Sequence, residues 1–133
     1  MIKQTFDVDG YWKVIVWYNL DYNLFDVIEE NLLTNGLPGR KLSEVYDMMY
    51  SGKAKAVTYS NLILHTSVVL FNTHKSKEDY VNSIVHEAEH IKQAMLHAYG
   101  VSDEGEPPAY TIGYLVGKMW NVFSNIVCME CNY

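Results

Sequence analysis

The chain has 133 residues, of which 49% are hydrophobic and 20% charged, a balance typical of one folded domain with its own core. The net charge of −6 and the scattered positions of the ten Lys and Arg residues argue against a nucleic-acid-binding protein. The first residues lack the apolar segment of a signal peptide, and the most apolar stretch, 112–129, contains polar residues that a membrane span tolerates poorly. We therefore expect a single cytoplasmic domain, 1–133, without a nucleic-acid or membrane partner.

The first half of the chain predicts two strands followed by two helices. Aromatic and β-branched residues at 3–6 and 11–18 flank an Asp-Gly dipeptide, which is a good signal for a β-hairpin. Apolar residues at helical spacing then predict a helix over 21–33. After a break that contains Gly and Pro, a short helix begins at residue 41 or 43 and ends near residue 52.

Two further strands are expected at 56–59 and 62–71, with a turn at Ser60-Asn61 between them. The second strand contains many β-branched residues, and its place in the sheet leaves two alternatives open. At the sheet edge, it could pair with an extended substrate. Inside the sheet, it would have no ligand role.

Two long helices complete the chain. An S-x-x-D capping box at 76–79 predicts a helix that starts at Lys77 and continues until Gly100, which is a typical residue after a helix end. Glu106-Pro107-Pro108 opens the final helix, because prolines are well tolerated in a first turn, and this helix runs to about Cys131.

The helix that starts at Lys77 contains the pentad His86-Glu87-Ala88-Glu89-His90. Residues four apart on a helix lie about 6 Å apart along its axis and about 40° apart around it, so both histidines could bind one metal ion. Glu87 lies beside them, within reach of a proton on a metal-bound water. The apolar stripe of this helix lies on the opposite side and consists of Tyr80, Ile84, Ala88, Ile91, Met95 and Ala98. A helix with such a second, polar stripe is typical of one that lines a polar cleft.

A catalytic zinc site needs a third protein ligand. Asp103, Glu104 and Glu106 follow the pentad helix, and Glu106 is the best candidate because it opens the next helix beside two prolines. On that helix Glu106 shares a face with Gly113 and Gly117, whose missing side chains would let the helix approach its neighbour and bring Glu106 toward the histidines. Asp103 and Glu104 are interpreted as solvated loop charges.

The other chemically active side chains have simpler interpretations. Three histidines lack a ligand partner at suitable spacing and are interpreted as structural or surface residues, namely His65, His74 and His97. Cys128 and Cys131 form a C-x-x-C pair, which without two further ligands is interpreted as two reduced thiols. Tyr110 either hydrogen-bonds a ligand or simply packs, and both alternatives stay open.

With these features the chain resembles the zincin-type metallopeptidases, in the gluzincin-like branch whose third zinc ligand is a glutamate. It is more closely similar to small zincin-like proteins encoded by bacteria, their prophages and mobile elements. The segments that carry the resemblance are Val57-Thr58-Tyr59-Ser60-Asn61, Ser67-Val68-Val69-Leu70, Ile84-Val85-His86-Glu87-Ala88-Glu89-His90, Gly105-Glu106-Pro107-Pro108-Ala109-Tyr110 and Ile112-Gly113-Tyr114-Leu115.

The resemblance implies a ligand set, a base and a fold. His86, His90 and Glu106 would hold Zn²⁺, and Glu87 would be the general base. The fold would be α+β and zincin-like: a small mixed β-sheet packed on the pentad helix, with its last strand bordering the cleft, followed by a C-terminal helix.

The expected function is that of a zinc-dependent metallopeptidase, which hydrolyses an amide bond of a peptide or protein substrate with a zinc-bound water activated by Glu87. Two alternatives stay open. One is a catalytically inactive zincin-fold protein that serves in binding or assembly and keeps a structural metal. The other is an α+β interaction domain in which the pentad arises by chance.

Overall fold

The structure, a computed structural model, describes residues 1–130 and, within them, all side chains except those of 106 and 127–130. Its strands are β1 (Ile2–Val8), β2 (Trp12–Tyr18), β3 (Ala56–Asn61) and β4 (Thr66–Phe71), and its helices are α1 (Phe25–Thr34), α2 (Leu42–Tyr50), α3 (Lys77–Tyr99) and α4 (Glu106–Glu130). Short 3-10 turns, Tyr22–Leu24 and Gly39–Lys41, lead into α1 and α2. Each predicted strand and helix is therefore present, at or near its predicted position.

The four strands form one mixed sheet in the order β1-β2-β4-β3. β1 and β2 are antiparallel, and the turn between them contains Asp9 and Gly10, both at positive φ. β2 and β4 are parallel, and β3 returns antiparallel to β4. The predicted α+β class and the mixed sheet are confirmed.

Helices cover both faces of the sheet. On one face α3 and α4 pack against alternate strand residues, among them Val14, Val16 and Val69, which are fully buried. On the other face α1 and α2 pack against the residues of opposite parity, such as Val68 and Leu70. β2 and β4 are covered on both sides, which explains why their sequences are nearly continuous apolar runs.

α3 begins and ends as predicted. Ser76 Oγ accepts a hydrogen bond from the backbone N–H of Asp79 at 3.1 Å, and Gly100 follows the helix at a φ of 65°. The predicted apolar stripe is buried, through Tyr80, Ile84, Ala88, Ile91 and Met95. His86 and His90 are exposed on the other side, so the two-sided character inferred from the sequence is confirmed.

α4 packs against α3 and β1. Its core-facing residues Leu115, Met119 and Phe123 are fully buried. Its predicted last residue, Cys131, lies outside the described residues. Over the part of the chain that the structure describes, none of the helices is both long and apolar enough to cross a membrane.

The strand that precedes α3 is internal. β4 pairs with β2 on one side and with β3 on the other, so its interpretation as an edge strand open to a substrate is wrong and the internal alternative is confirmed. The resemblance also implies that the last strand borders the cleft. This expectation is wrong as well, because the edge strand beside β4 is the third strand, β3. The short β3–β4 connection is the reason: it forces β3 to lie beside β4, and β2 already occupies the other side.

β4 also starts four residues later than the predicted strand 62–71. Asn61 Oδ1 accepts hydrogen bonds from the backbone N–H groups of Ile63 and Leu64, both at 2.9 Å, and these bonds close a turn. His65 then adopts a φ of 52°. Apolar character at 62–64 was therefore a misleading strand signal, because Ile63 lies on the turn and is 91% exposed.

Candidate metal centre

His86 and His90 lie one turn apart on the exposed side of α3. Their Nε2 atoms are 3.1 Å apart, and their ring planes are inclined by 84°. Two nitrogens that bind one tetrahedral zinc ion at about 2.0–2.1 Å are separated by about 3.3 Å. The 3.1 Å separation is that of a hydrogen bond between the two rings, and it is also close to the separation of two ligands of one zinc ion, for which imidazole nitrogen is suitable.

Glu87 has a different environment from the two histidines. Its side chain is only 3% exposed, and its Oε1 atom accepts a hydrogen bond from Thr58 Oγ1 at 2.9 Å. Thr58 belongs to β3, so the carboxylate is held between α3 and the edge strand. Thr58 was not predicted as a partner, since a contact across 29 positions leaves no periodic signal in the sequence.

A cleft of about 380 Å³ lies between α3 and the start of β3. Glu87 and His86 both line it, together with Lys55, Ala56 and Asp79. A substrate in this cleft would contact the buried carboxylate and one of the two histidines at the same time. We refer to it as the Glu87 cleft.

The edge strand of the sheet, β3, begins at this cleft. The Asn72 backbone N–H donates to the Lys55 carbonyl at 3.0 Å, and in an antiparallel pair such bonds recur at every second residue. Ala56, Thr58 and Ser60 therefore direct their backbone N–H and C=O groups away from β4, to the free edge of β3.

The third ligand is not defined by the described side chains. Among them, no group of three His, Cys, Asp or Glu residues is placed to hold a metal ion. Glu106, the predicted third ligand, is the first residue of α4, and its side chain lies outside the description. Its role as a ligand stays a prediction.

The glycines of α4 do not have the role inferred for them. Gly113 and Gly117 are exposed, and a Cβ atom built on either would meet no atom within 4 Å. α4 approaches α3 through its large apolar residues instead, such as Leu115 and Met119. The argument that close packing at glycines brings Glu106 toward the histidines is therefore wrong. The prediction of this ligand now depends on its place at the start of α4, beside two prolines, and on the resemblance.

Asp103 is not a simple solvated charge, in contrast to its predicted interpretation. It forms an ion pair with Lys92 Nζ at 2.9 Å and accepts a hydrogen bond from Gln93 Nε2 at 2.7 Å. Glu89 contacts the same two side chains, at 2.8 and 2.9 Å. The Lys92 ammonium lowers the pKa of both carboxyl groups, and the carboxylates raise the pKa of Lys92. These four residues, the α3 clamp, hold the α3–α4 loop against α3, while Glu104 in the same loop is exposed.

The other histidines have structural environments or lie on the surface. His65 stacks on Trp12 with ring centroids 5.3 Å apart. His74 has both ring nitrogens occupied, Nδ1 by the Asn72 carbonyl and Nε2 by Ser83 Oγ, each at 2.7 Å. Because a carbonyl only accepts, the Nδ1 atom carries the proton, and burial lowers the pKa of His74.

Tyr110 and His97 are exposed, Tyr110 by 74%. Tyr110 thus lies on the surface of α4, and its predicted alternative as a packing residue is not observed. The side chain of Cys128 and the whole of Cys131 lie outside the description, so their interpretation as reduced thiols stays a prediction.

Comparisons with known proteins give no match. A scan against protein-family models finds no matching family, and searches of curated proteins and of solved structures find no similar protein. The zincin-like fold, the metal and the activity therefore stand as predictions from the residues and their arrangement.

Proposed function

We propose that the protein is a zinc-dependent hydrolase with a zincin-like fold that cleaves an amide bond of a peptide or protein. One observation carries the proposal: two imidazole Nε2 atoms 3.1 Å apart lie beside a buried carboxylate, Glu87, that shares a cleft with His86. A paired nitrogen ligand set with an adjacent carboxylate is the usual equipment of metal-assisted hydrolysis. The cytoplasmic setting predicted from the sequence belongs to the same proposal.

Each residue has a separate role in this reaction. His86 and His90 hold the ion, and Glu106 completes the ligand set. Zinc, when bound, supplies a Lewis acid that polarises the scissile carbonyl and makes a nearby water more acidic. Glu87 accepts the proton of the attacking water and delivers it to the leaving amine. Thr58 keeps the Glu87 carboxylate oriented through its 2.9 Å hydrogen bond.

The free edge of β3 supports a peptide as the substrate. The outward N–H and C=O groups of Ala56, Thr58 and Ser60 can pair with an extended chain, which would add to the sheet as a fifth strand. Thr58 contacts Glu87, so a peptide bound along this edge passes the general base.

The test begins with zinc content and then measures cleavage. We expect about one zinc per chain by elemental analysis, with loss of the metal in His86→Ala and His90→Ala. His97→Ala is the matched control, because His97 lies on the same helix, is exposed, and is not a proposed ligand. Glu106→Ala tests the third ligand and should also reduce zinc content.

Glu87→Gln should keep zinc and lose about 10²- to 10⁴-fold in the rate of cleavage of a fluorogenic peptide library, which is the usual contribution of a general base. Full activity in Glu87→Gln, or wild-type protein without stoichiometric zinc, would overturn the proposal. Zinc binding that stabilises the fold while no peptide is cleaved would instead support the binding or assembly alternative.

A further inference from the structure

A second and larger cleft, of about 650 Å³, continues from the Glu87 cleft. Lys55 and Asp79 line both clefts, and their side chains form an ion pair at 3.3 Å across the junction. The larger cleft lies beyond this pair, between the end of α2, the segment after β4 and the start of α3. We call it the anchor cleft; the side chains relevant to binding are Leu20, Met49, Tyr22, Tyr50, Lys55 and Lys75.

The wall of the anchor cleft is pre-organised by one hydrogen-bonded residue. Asn72 Nδ2 donates to the carbonyls of Met49 and Ala54, at 2.9 and 3.2 Å, and Asn72 Oδ1 accepts from the Tyr22 hydroxyl. These bonds attach the end of α2 and the 3-10 turn before α1 to the end of β4. A cleft with a fixed wall binds a ligand without the entropic cost of ordering that wall.

The floor and rim of the anchor cleft are apolar and aromatic. Leu20 and Met49 are buried, whereas Tyr50 is 64% exposed and contacts Tyr22 edge-on with ring centroids 5.1 Å apart. An exposed aromatic ring held by a neighbouring ring offers a rigid apolar surface for a large side chain.

The charge of the anchor cleft is opposite to that of the whole chain. Lys55 and Lys75 line it with a single carboxylate, Asp79, which gives a local balance of +1 in a chain of net charge −6. His74 adds no charge to this balance near neutral pH, because burial lowers its pKa below the ordinary value of 6.5. The cleft therefore favours an anionic group next to an apolar one.

The position of the anchor cleft along the sheet edge follows from the spacing of Thr58 and Lys55. Lys55 immediately precedes β3, and Thr58, which contacts Glu87, follows it by three positions, or about 10 Å at roughly 3.3 Å per residue. An extended peptide that passes Glu87 would place a residue about three positions from the scissile bond at the entrance of the anchor cleft.

We propose that the anchor cleft binds a carboxylate of the peptide substrate, flanked by a large apolar residue, about three positions from the scissile bond. The proposal rests on the proposed function for its position along the substrate. The carboxylate belongs either to an acidic side chain or to the C-terminus of the peptide, and both have the same chemistry at Lys55 and Lys75.

The experiment measures peptide binding to the full chain with Glu87→Gln, so that no cleavage interferes. The probes are dye-labelled peptides: Ala-Ala-Ala-Ala-Phe-Glu as its amide, Ala-Ala-Ala-Ala-Phe-Gln as its amide, and Ala-Ala-Ala-Ala-Gln-Phe as the free acid. By fluorescence polarisation we expect at least one carboxylate peptide to bind about tenfold more tightly than the neutral amide. Comparison of the two carboxylate peptides identifies which source the cleft prefers.

Substitutions then locate the site. Lys55→Met with Lys75→Met should remove the preference for the carboxylate, while Lys53→Met, an exposed lysine outside the anchor cleft, should not. Asp79→Asn should tighten the carboxylate peptide, because it removes the group that competes for Lys55. Tyr50→Ala should weaken all three peptides alike. Melting temperatures verify that each variant is folded.

Equal affinity for the three peptides, or a carboxylate preference that survives the double lysine substitution, would overturn this proposal. Binding that follows the expected pattern without any cleavage by wild-type protein would overturn only the hydrolase. Cleavage without carboxylate preference would overturn only the anchor cleft.

Discussion

Glu87 connects the two elements of the candidate site, since it belongs to α3 and contacts the edge strand β3. The histidines of the pentad are exposed on α3, whereas Glu87 is buried and hydrogen-bonded to Thr58 on the sheet edge. A buried carboxylate is costly unless it is hydrogen-bonded, so the Thr58 hydroxyl stabilises both the fold and the orientation of the Glu87 carboxylate.

Thr58→Val removes this hydroxyl and keeps the shape of the side chain. We expect the free energy of unfolding to fall by about 1–3 kcal/mol, because the buried carboxylate loses a hydrogen bond, and zinc content to stay unchanged. Urea denaturation and elemental analysis measure the two quantities. Thr58→Ser is the control, since it keeps the hydroxyl; a loss of stability as large as that in Thr58→Val would argue against the hydrogen bond as the cause.

At the scale of residues, the sequence identified those parts of the site that depend on the geometry of a single helix. The histidines are four residues apart on a predicted helix, and that spacing places them on one face, where their Nε2 atoms can approach each other. Thr58 and Asp103 were missed or misinterpreted as partners, because their contacts depend on how β3 and the α3–α4 loop pack on α3. No periodic pattern within one element contains that information.

At the scale of elements, α3 and α4 show where periodicity is sufficient and where it is not. The apolar stripe of α3 predicted its buried face correctly, since the stripe is continuous over the whole helix. In α4 the sequence predicts that the glycines lie on a packed face, yet Gly113 and Gly117 are exposed. Glycine has no side chain to indicate burial, and only the large residues of α4 determine which face is buried.

The exposure of these glycines gives a matched pair of substitutions. Gly113→Ala should raise the free energy of unfolding by about 0.5–1 kcal/mol, because alanine stabilises a helix interior and its Cβ would meet no atom within 4 Å. Gly100→Ala, also without a neighbour within 4 Å, should lower it by about 1–2 kcal/mol, because its φ of 65° disfavours a Cβ. Urea denaturation of both variants measures these changes. A destabilised Gly113→Ala would indicate that α4 packs closely against another surface at this position.

At the scale of the whole molecule, the sequence predicted the class of the fold but not the order of the strands. Alternation and turn signals identify strands one at a time, whereas sheet order depends on which strands pair across long stretches of chain. The parallel pairing of β2 with β4 skips α1, α2 and β3, and it is this pairing that leaves β3 as the edge beside Glu87. The Glu87 cleft therefore depends on a strand order that cannot be predicted from the individual strand sequences.

The α3 clamp connects the two halves of the proposed ligand set, since it joins α3 to the loop that leads into Glu106. The Lys92 ammonium lowers the pKa of Asp103 below its ordinary value of 3.8, so the bond stabilises the folded state above that pH and this contribution is lost as the pH falls through the lowered pKa. In metal-free protein, Asp103→Asn should therefore reduce the melting temperature at pH 7 and at pH 5, and the difference from wild type should disappear well below pH 3.8. Roughly 1 M salt should also reduce this difference in melting temperature, because the Asp103 side of the ion pair is exposed to solvent. Glu104→Gln removes a charge from the same loop and should have no comparable effect; a difference that persists unchanged in acid, or that Glu104→Gln reproduces, would show that the clamp does not hold the loop.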